Sequence, residues 1–463
     1  MTAPGRGLER RLGPFDAAAI VISNVIGSGI FFVPLLVAQM LPHPGAILGV
    51  WLAGGALAFV GAMAYGELAS LRPRAGGEYV YLRDAFGPLA AFLSGWTSFV
   101  AGFSGAIAAN AVALADYVGR FLPGAADTRS LLSIPLPGLA LVVTPRAIVA
   151  LAVIAALTII HLRGLGPGRL VQNLLAGLKV SALAVFIALG FTLGHGDAAH
   201  LTHGAAVGGA GFLLALVPVM FTYSGWNAAA YVAEEVRNPG RNVPLALGIG
   251  TVTVVAIYVA LNALYLYAMP AGELASLGGG RLMDAVAERL FGFVAGNLLA
   301  LFSIVSIAAS ISAMVLAGPR VYYAMACDGL FFRSAARVHP RYHTPAAAII
   351  AQGVWSGVLV LSGTLSQLVS YTGFAVVLFA AVAVAALFVL RRRAGDAPRP
   401  FSAWGYPWAP AIFVLASAVI VVNEMWRNGT TAAAGVVIIA VGIPVYFAIR
   451  RRNAIGSPAA PRA

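Results

Sequence analysis

The sequence predicts an all-α polytopic membrane protein of about twelve transmembrane helices, and three observations carry that reading. Hydrophobic residues make up 60% of the 463-residue chain and charged residues only 10%, where a soluble domain of this size carries roughly 25% charged residues. About twelve apolar runs of roughly 17 to 27 residues recur along it, the length a helix needs to cross ~30 Å of hydrocarbon. None shows the alternating pattern, roughly ten residues long, of a membrane-barrel strand.

Taken in order, a short tail (residues 1–14) precedes a first run centred on Gly29. No cleavage-site pattern follows a short apolar core there, so this run stays as a helix. Runs centred on Ala58, Phe103, Ala155 and Lys179 complete a first set of five helices over residues 15–194. A second set over residues 209–392 is centred on Phe221, Val255, Ser306, Trp355 and Phe379. A Pro/Gly/Arg-rich connector (393–408) leads to a final pair over 409–451, centred on Ser417 and Ile439, and a tail at 452–463.

The chain is strongly basic, with a net charge of +13 and a pI of about 10.3. With the N-terminus inside, the internal segments hold 22 arginines, among them Arg163, Arg333 and Arg391–Arg393, and the external segments hold 6. That asymmetry is the positive-inside rule, and it predicts a multi-pass plasma-membrane protein with both termini in the cytoplasm. The basicity is thus a topology signal first and a means of attracting anionic lipid second. Nucleic acid need not be invoked.

Sites for enzymatic chemistry are missing from the sequence. A P-loop needs a Gly-Lys pair, and the one lysine, Lys179, follows Leu178. There is no Cys-x-x-Cys pair and no His-Glu-x-x-His helix. His195, His200 and His203 stand among Gly, Ala and Asp in an external loop and read as solvated side chains. The adjacent Glu234 and Glu235 point to different helix faces, so they make no dyad. Cys327 is the one cysteine, which excludes an internal disulfide. Neither a cofactor nor a metal is expected.

Two spans carry sequence that a helix resists. "NVIGSGIFFVP" (residues 24–34) puts Gly27, Ser28 and Gly29 in mid-span, with Pro34 behind them. Glycine costs about 1 kcal/mol relative to alanine in a helix. "VPVMFTYSGWNAAAYVAEEV" (residues 217–236) repeats the weakness at Ser224-Gly225, with Pro218 near its start. These spans open the two sets of five. Matching interrupted helices in two halves are the pattern of an inverted-repeat secondary transporter. Freed backbone groups are tolerated at membrane depth where they line a cavity or meet a ligand. Exposed N–H groups suit a carboxylate and unwound carbonyls suit an ammonium, so the backbone of an amino acid matches the pair. The alternative is that the small residues serve close helix packing.

Five stretches add a resemblance that runs over nearly the whole chain: "VIGSGIF", "GGEYVYLRDAFGP", "FTYSGWNAAAYVAEEVRNPGRNVP", "GPRVYYAMACDGLFF" and "RPFSAWGYP". Together they resemble the amino acid–polyamine–organocation superfamily, and within it the L-type amino acid transporter branch with its bacterial homologues. The resemblance implies a leucine-transporter-type fold of ten helices in two inverted fives plus two more, and alternating access around a central site. It implies that the substrate carboxylate meets the backbone of Ser28, Gly29 and Ile30. The amino group would lie near the carbonyls of Ile26 and of Phe221 to Ser224, a stretch that includes Tyr223. Phe221 would close over the substrate, with Trp226 and Asn227 beside the pocket. It implies, too, that Lys179 stands where sodium-driven relatives bind sodium, bridging Gly27 and the Ser310 hydroxyl. L-type transporters of animals join a heavy chain through a cysteine in the loop matching residues 119–145, and that loop here has none, so no disulfide-linked partner is expected.

Lys179 also stands out on its own. A lysine at mid-span costs about 2.5 to 3.5 kcal/mol, and either end of the helix is about 15 Å away, beyond easy snorkelling. Its ammonium is therefore expected to face the bundle and meet carbonyls or hydroxyls. A fixed charge there argues against sodium coupling; whether it also loads and releases a proton stays open. The amphipathic "GEYVYLRDAFG" (residues 77–87) reads as a gate element at the inner interface or as the start of helix three, and Glu67 and Glu234 read as snorkelled surface charges, with internal gating pairs to arginine as the alternative. None of the 16 acidic residues falls at a helix centre, which favours neutral L-amino acids over cationic ones or polyamines. Exchange and proton-linked uptake both remain open. A channel would want a polar lining or rings of charge and a sensor a soluble output domain; the sequence offers neither.

Overall fold

Proline marks where many of the helices begin. Its ring fixes φ and removes an N–H that the first helical turn cannot use, and Pro14, Pro44, Pro88, Pro145 and Pro239 each open a helix. The computed structural model describes residues 8–136, 139–204, 209–277, 282–292, 295–362, 365–395, 398–427 and 429–455. The chain runs through α1 (Pro14–Val25), α2 (Val33–Met40), α3 (Pro44–Leu71), α4 (Glu78–Phe86), α5 (Pro88–Thr97) and α6 (Phe103–Val118). A turn of π-helix at Ser98–Gly102 joins α5 to α6. A hairpin follows, β1 (Leu132–Leu136) and β2 (Leu139–Val143), antiparallel with Leu132 opposite Val143. Then come α7 (Pro145–Leu162), α8 (Leu165–Thr192), α9 (Gly209–Thr222), α10 (Ala228–Tyr231), α11 (Pro239–Ala268) and α12 (Ala271–Ser276). The remainder is α13 (Leu282–Phe291), α14 (Ala295–Cys327), α15 (Ala346–Leu361), α16 (Leu365–Ala394), α17 (Trp408–Arg427) and α18 (Gly429–Ile455).

Among the described residues, nine helices are long and apolar enough to cross a membrane: α3, the continuous stack of α5 and α6, α7, α8, α11, α14, α16, α17 and α18. The helices α1, α9 and α15 are apolar but shorter. The chain is therefore a helical, multi-pass integral membrane protein. The runs centred on Gly29 and Phe221 are each divided rather than continuous, and in the second the α-helix ends at Tyr231 and a 3-10 turn follows at Ala233–Glu235.

The short α1 sits at the centre, against α8, α11 and α14. Around it, α3 packs along α11 and α6 along α14. Close approach here depends on small residues, as it does generally between helices in lipid. A Cβ on Gly55 of α3 would lie 2.6 Å from the side chain of Val255 on α11.

At the end of the bundle that carries residues 8–13, polar contacts tie the elements together. Leu12 forms a parallel bridge to Val236, donating its N–H to the Glu235 carbonyl at 2.9 Å and accepting from the Arg237 N–H at 2.9 Å. The Arg320 guanidinium grips the Glu235 carboxylate with both partners buried, at 2.6 and 3.0 Å. Arg83 and the Tyr79 hydroxyl both donate to Asp328.

Three expectations are corrected here. Glu67 is not a snorkelled surface charge but follows the alternative of an internal pair to arginine: it is fully buried and takes a two-pronged contact from Arg391 on α16, 2.8 Å from its Nε, and the Ala403 N–H at 2.7 Å. Glu234 is half-buried and accepts from the Ala75 N–H at 3.0 Å. The amphipathic α4 does not lie flat on an interface, since Tyr79, Val80, Tyr81 and Leu82 are all buried within the bundle. A hydropathy pattern read along one helix cannot register the partners that other helices bring to it.

Candidate substrate site

The first break opens at Gly27, whose extended backbone (φ −107°, ψ −155°) ends α1 and starts a single 3-10 turn, Ser28–Phe31. The second opens after Thr222, where Gly225 holds φ +102° before α10 resumes. That left-handed value is open to glycine and strained for residues with a Cβ. The two breaks touch. A Cβ on Gly225 would stand 3.1 Å from the backbone of Asn24, and one on Gly29 would stand 3.3 Å from the Thr222 side chain. Tyr258 of α11 fastens them, its hydroxyl 2.9 Å from the Val25 carbonyl and 3.3 Å from that of Thr222.

Both breaks open onto one cavity of about 320 Å³. Of the residues expected at the site, Gly27, Ser28, Gly29, Phe221, Ser224, Gly225 and Asn227 line it. Ile26, Ile30, Tyr223 and Trp226 do not. Ile26 and Ile30 are buried in the core, and Tyr223 turns to α3, where its hydroxyl donates to the Trp51 carbonyl at 3.0 Å. Trp226 packs edge-on against Tyr65 and Phe413, with ring centroids 5.0 and 5.5 Å away. Aromatic rings from Phe32, Phe103 and Phe379 give the cavity apolar walls.

Lys179 of α8 is fully buried and reaches the end of α1. Its ammonium donates to the Ile26 carbonyl, to the Ser23 carbonyl at 3.3 Å and to the Ser310 hydroxyl at 3.0 Å. Ser310 Oγ is also 2.7 Å from the Ile26 carbonyl. The Ser310 contact lies where the resemblance implied, but the carbonyl is that of Ile26, not of Gly27. The α1 ladder ends with the Ile26 N–H bonding to the Ile22 carbonyl, and the Gly27 N–H turns back to Val25, so it is the Ile26 carbonyl that meets Lys179 and Ser310. Two donors hold that carbonyl, so it does not point into the cavity.

The sequence reading missed several lining residues. Asn24 and Asn110 are amides inside apolar helices, a legible signal, and Asn110 Oδ1 is buried with no donor among the described residues. Glu78, from the segment read as interfacial, lies at the cavity wall, 8% exposed. Its carboxylate accepts from the Tyr65 hydroxyl at 2.8 Å and from Ser94 Oγ at 3.4 Å. Outside the spans, burial pushes the Glu78 carboxyl above its ordinary value, against hydrogen bonds from Tyr65, Tyr231 and Ser94 that lower it. The loop histidines bond to separate carbonyls, His195 to Leu290, His200 to Tyr267 and His203 to Ala199.

A family model described as amino acid permease matches residues 12–449. The chain belongs to that family. The permease is 29% identical to the serine/threonine exchanger SteT of Bacillus subtilis (strain 168), over 98% of this chain and all of that protein. It is 29% identical to the human large neutral amino acids transporter small subunit 2, over 96% of this chain and 81% of that one. It is also 29% identical to the human b(0,+)-type amino acid transporter 1, over 85% and 78% of the two chains. The permease is thus an amino acid transporter of the amino acid–polyamine–organocation superfamily and not an enzyme.

Proposed function

We propose that the permease is a sodium-independent secondary transporter of neutral L-amino acids, working by alternating access in twelve spans: two inverted fives and a final pair. The observation that carries this reading is the meeting of two broken helices across one apolar-walled cavity. The backbone N–H groups of Ser28 and Gly29, at the start of the 3-10 turn beside the cavity, suit the substrate carboxylate. Carbonyls of the second break and the unpaired Asn110 Oδ1 suit its ammonium, a role from which Ile26 is withdrawn by Lys179. The aromatic walls favour an uncharged side chain. Small polar and large neutral substrates are both compatible with the relatives' names.

Sodium independence rests on Lys179. Its ammonium already supplies a positive charge to the carbonyls at the end of α1 and to Ser310. A sodium ion there would meet an occupied site and a like charge. In vesicles of phosphatidylethanolamine and phosphatidylglycerol, exchange of radiolabelled L-serine or L-leucine is expected to be equal in sodium and in choline buffers. Lys179→Ala is expected to fold, because removing the charge also removes its desolvation cost, yet to lose most exchange. Ser310→Ala should show the same defect more weakly, and the double variant should be less than additive. Sodium stimulation of the native protein, or native-like exchange by Lys179→Ala, would sink the assignment.

A further inference from the structure

Glu78 is the one acidic side chain at the cavity wall among the described residues, and it has no basic partner there. Buried carboxylates elsewhere in the bundle do have one: Glu67 holds Arg391 and Glu235 holds Arg320. Around Glu78 there are hydroxyls instead. Tyr65 comes from α3 and Ser94 from α5, while Tyr231 of α10 stands beside them, its own hydroxyl accepting from Asn227 Nδ2 at 3.1 Å. A carboxylate with neutral neighbours and little solvent contact is expensive as an anion and inexpensive as an acid. Hydroxyls suit both forms, since each can donate to the anion or accept from the acid.

We propose that Glu78 is a proton-binding site of the transport cycle, so that transport of a neutral amino acid is coupled to a proton. The carboxylate takes a proton from water on the side to which the cavity opens, becoming a neutral carboxylic acid, and returns it to water when the opposite side opens. The coupling passes through the wall that both share. Asn227 lines the cavity at the second break and bonds Tyr231, so a movement of α10 on substrate binding alters the hydroxyl set around Glu78. The inference rests on the proposed amino acid transport.

Among the described residues, no other charge near Glu78 is free to substitute for it. On its own helix, Tyr81 is a neutral hydroxyl, Tyr79 donates to Asp328, and Arg83 is shared by Asp84 and Asp328. From α3, Tyr65 is the hydroxyl already named and Glu67 is committed to Arg391 of α16; α5 brings Ser94 and no charge. On α16, Arg393 donates to the Asp84 carbonyl. From α14, Arg320 is held by Glu235, and Tyr322 donates to the Ser98 carbonyl. Lys179 is bonded on the far side of α1. The apolar cavity walls argue against the alternative, a substrate side-chain cation as the partner of Glu78.

Two measurements test the proposal. In the same vesicles, uptake of L-serine and L-leucine is followed with equal pH on both sides and with the outside one unit more acidic. Coupling to one proton allows up to about tenfold extra accumulation. The native protein is expected to accumulate substrate with the gradient and to carry protons inward, read by an entrapped pH dye. Glu78→Gln, fixed in the neutral shape, should lose the ratio between the two conditions whatever its absolute rate, and Glu78→Asp should keep part of it. Native exchange at equal pH with no response to the gradient would overturn the proton assignment while leaving amino acid transport intact. So would a Glu78→Gln variant that still responds, or one whose only change is lost competition by L-lysine. Infrared difference spectra provide a readout independent of transport. A protonated carboxyl band that titrates in the native protein and is missing in Glu78→Gln is expected, and a native protein without it would overturn the proposal even if no substrate were moved.

Discussion

At Gly225 the backbone sits at φ +102° and a methyl group would meet the Asn24 backbone at 3.1 Å. Left-handed conformation alone costs a residue with a Cβ about 1–2 kcal/mol, and the contact adds to it, because backbone cannot rotate out of the way as a side chain can. Gly225→Ala is therefore expected to lower the melting temperature of the purified protein and to take exchange to background. Gly177→Ala on α8, where a Cβ meets nothing within 4 Å, is expected to leave both as they are. Equal behaviour of the two would mean the second break tolerates reshaping. The need for a glycine at 225 was legible in the sequence as a weak point; that its surface presses on the other break was not. The same holds for Lys179. Its cost at mid-span predicted an inward-facing ammonium, but naming its carbonyl requires knowing where α1 ends. One residue of error turns a helix by about 100°, enough to exchange Gly27 for Ile26.

Single elements are anchored by charges that only assembly pairs. Arg391 at the end of α16 and Glu67 at the end of α3 are more than three hundred residues apart in sequence and meet in the bundle, where Glu67 also takes the Ala403 N–H of the connector. Breaking a buried pair from one side typically costs about 3–5 kcal/mol, while replacing both partners by apolar groups is often neutral. Glu67→Leu and Arg391→Leu are each expected to destabilise the detergent-solubilised protein strongly, and the double substitution to recover much of the loss, measured by thermal unfolding. Additive losses would show that the two charges act separately. Ala403 thereby fastens the connector between α16 and α17 to the buried end of α3.

For the whole molecule, the arginine asymmetry of 22 against 6 makes a statement about sidedness that the bundle geometry makes coherent. Leu162, next to Arg163, accepts from Thr344, and His343 pairs with Glu9 at 3.2 Å, which gathers α7, the segment after α14 and the N-terminal residues at one end. His200 is joined to Tyr267, beyond the far end of α8. Cysteines introduced at Arg163 and Arg333 are expected to react with a membrane-impermeant maleimide only from the cytoplasmic side, and one at His200 only from outside. Labelling of all three from one face would refute the proposed orientation.

Composition, run length and arginine placement determined that this chain is a helical membrane protein, and its two glycine-bearing interruptions pointed to where a ligand would lie. These properties are local: a bilayer tests each segment for length and polarity, and a helix resists glycine wherever it occurs. Tertiary structure decided which interrupted residues share the cavity, which carbonyl Lys179 holds, and that Glu67 and Glu78 are buried rather than at a surface. Those outcomes depend on contacts between segments far apart in sequence, and in a membrane the cost of a polar group is set by the partner that another helix brings to it.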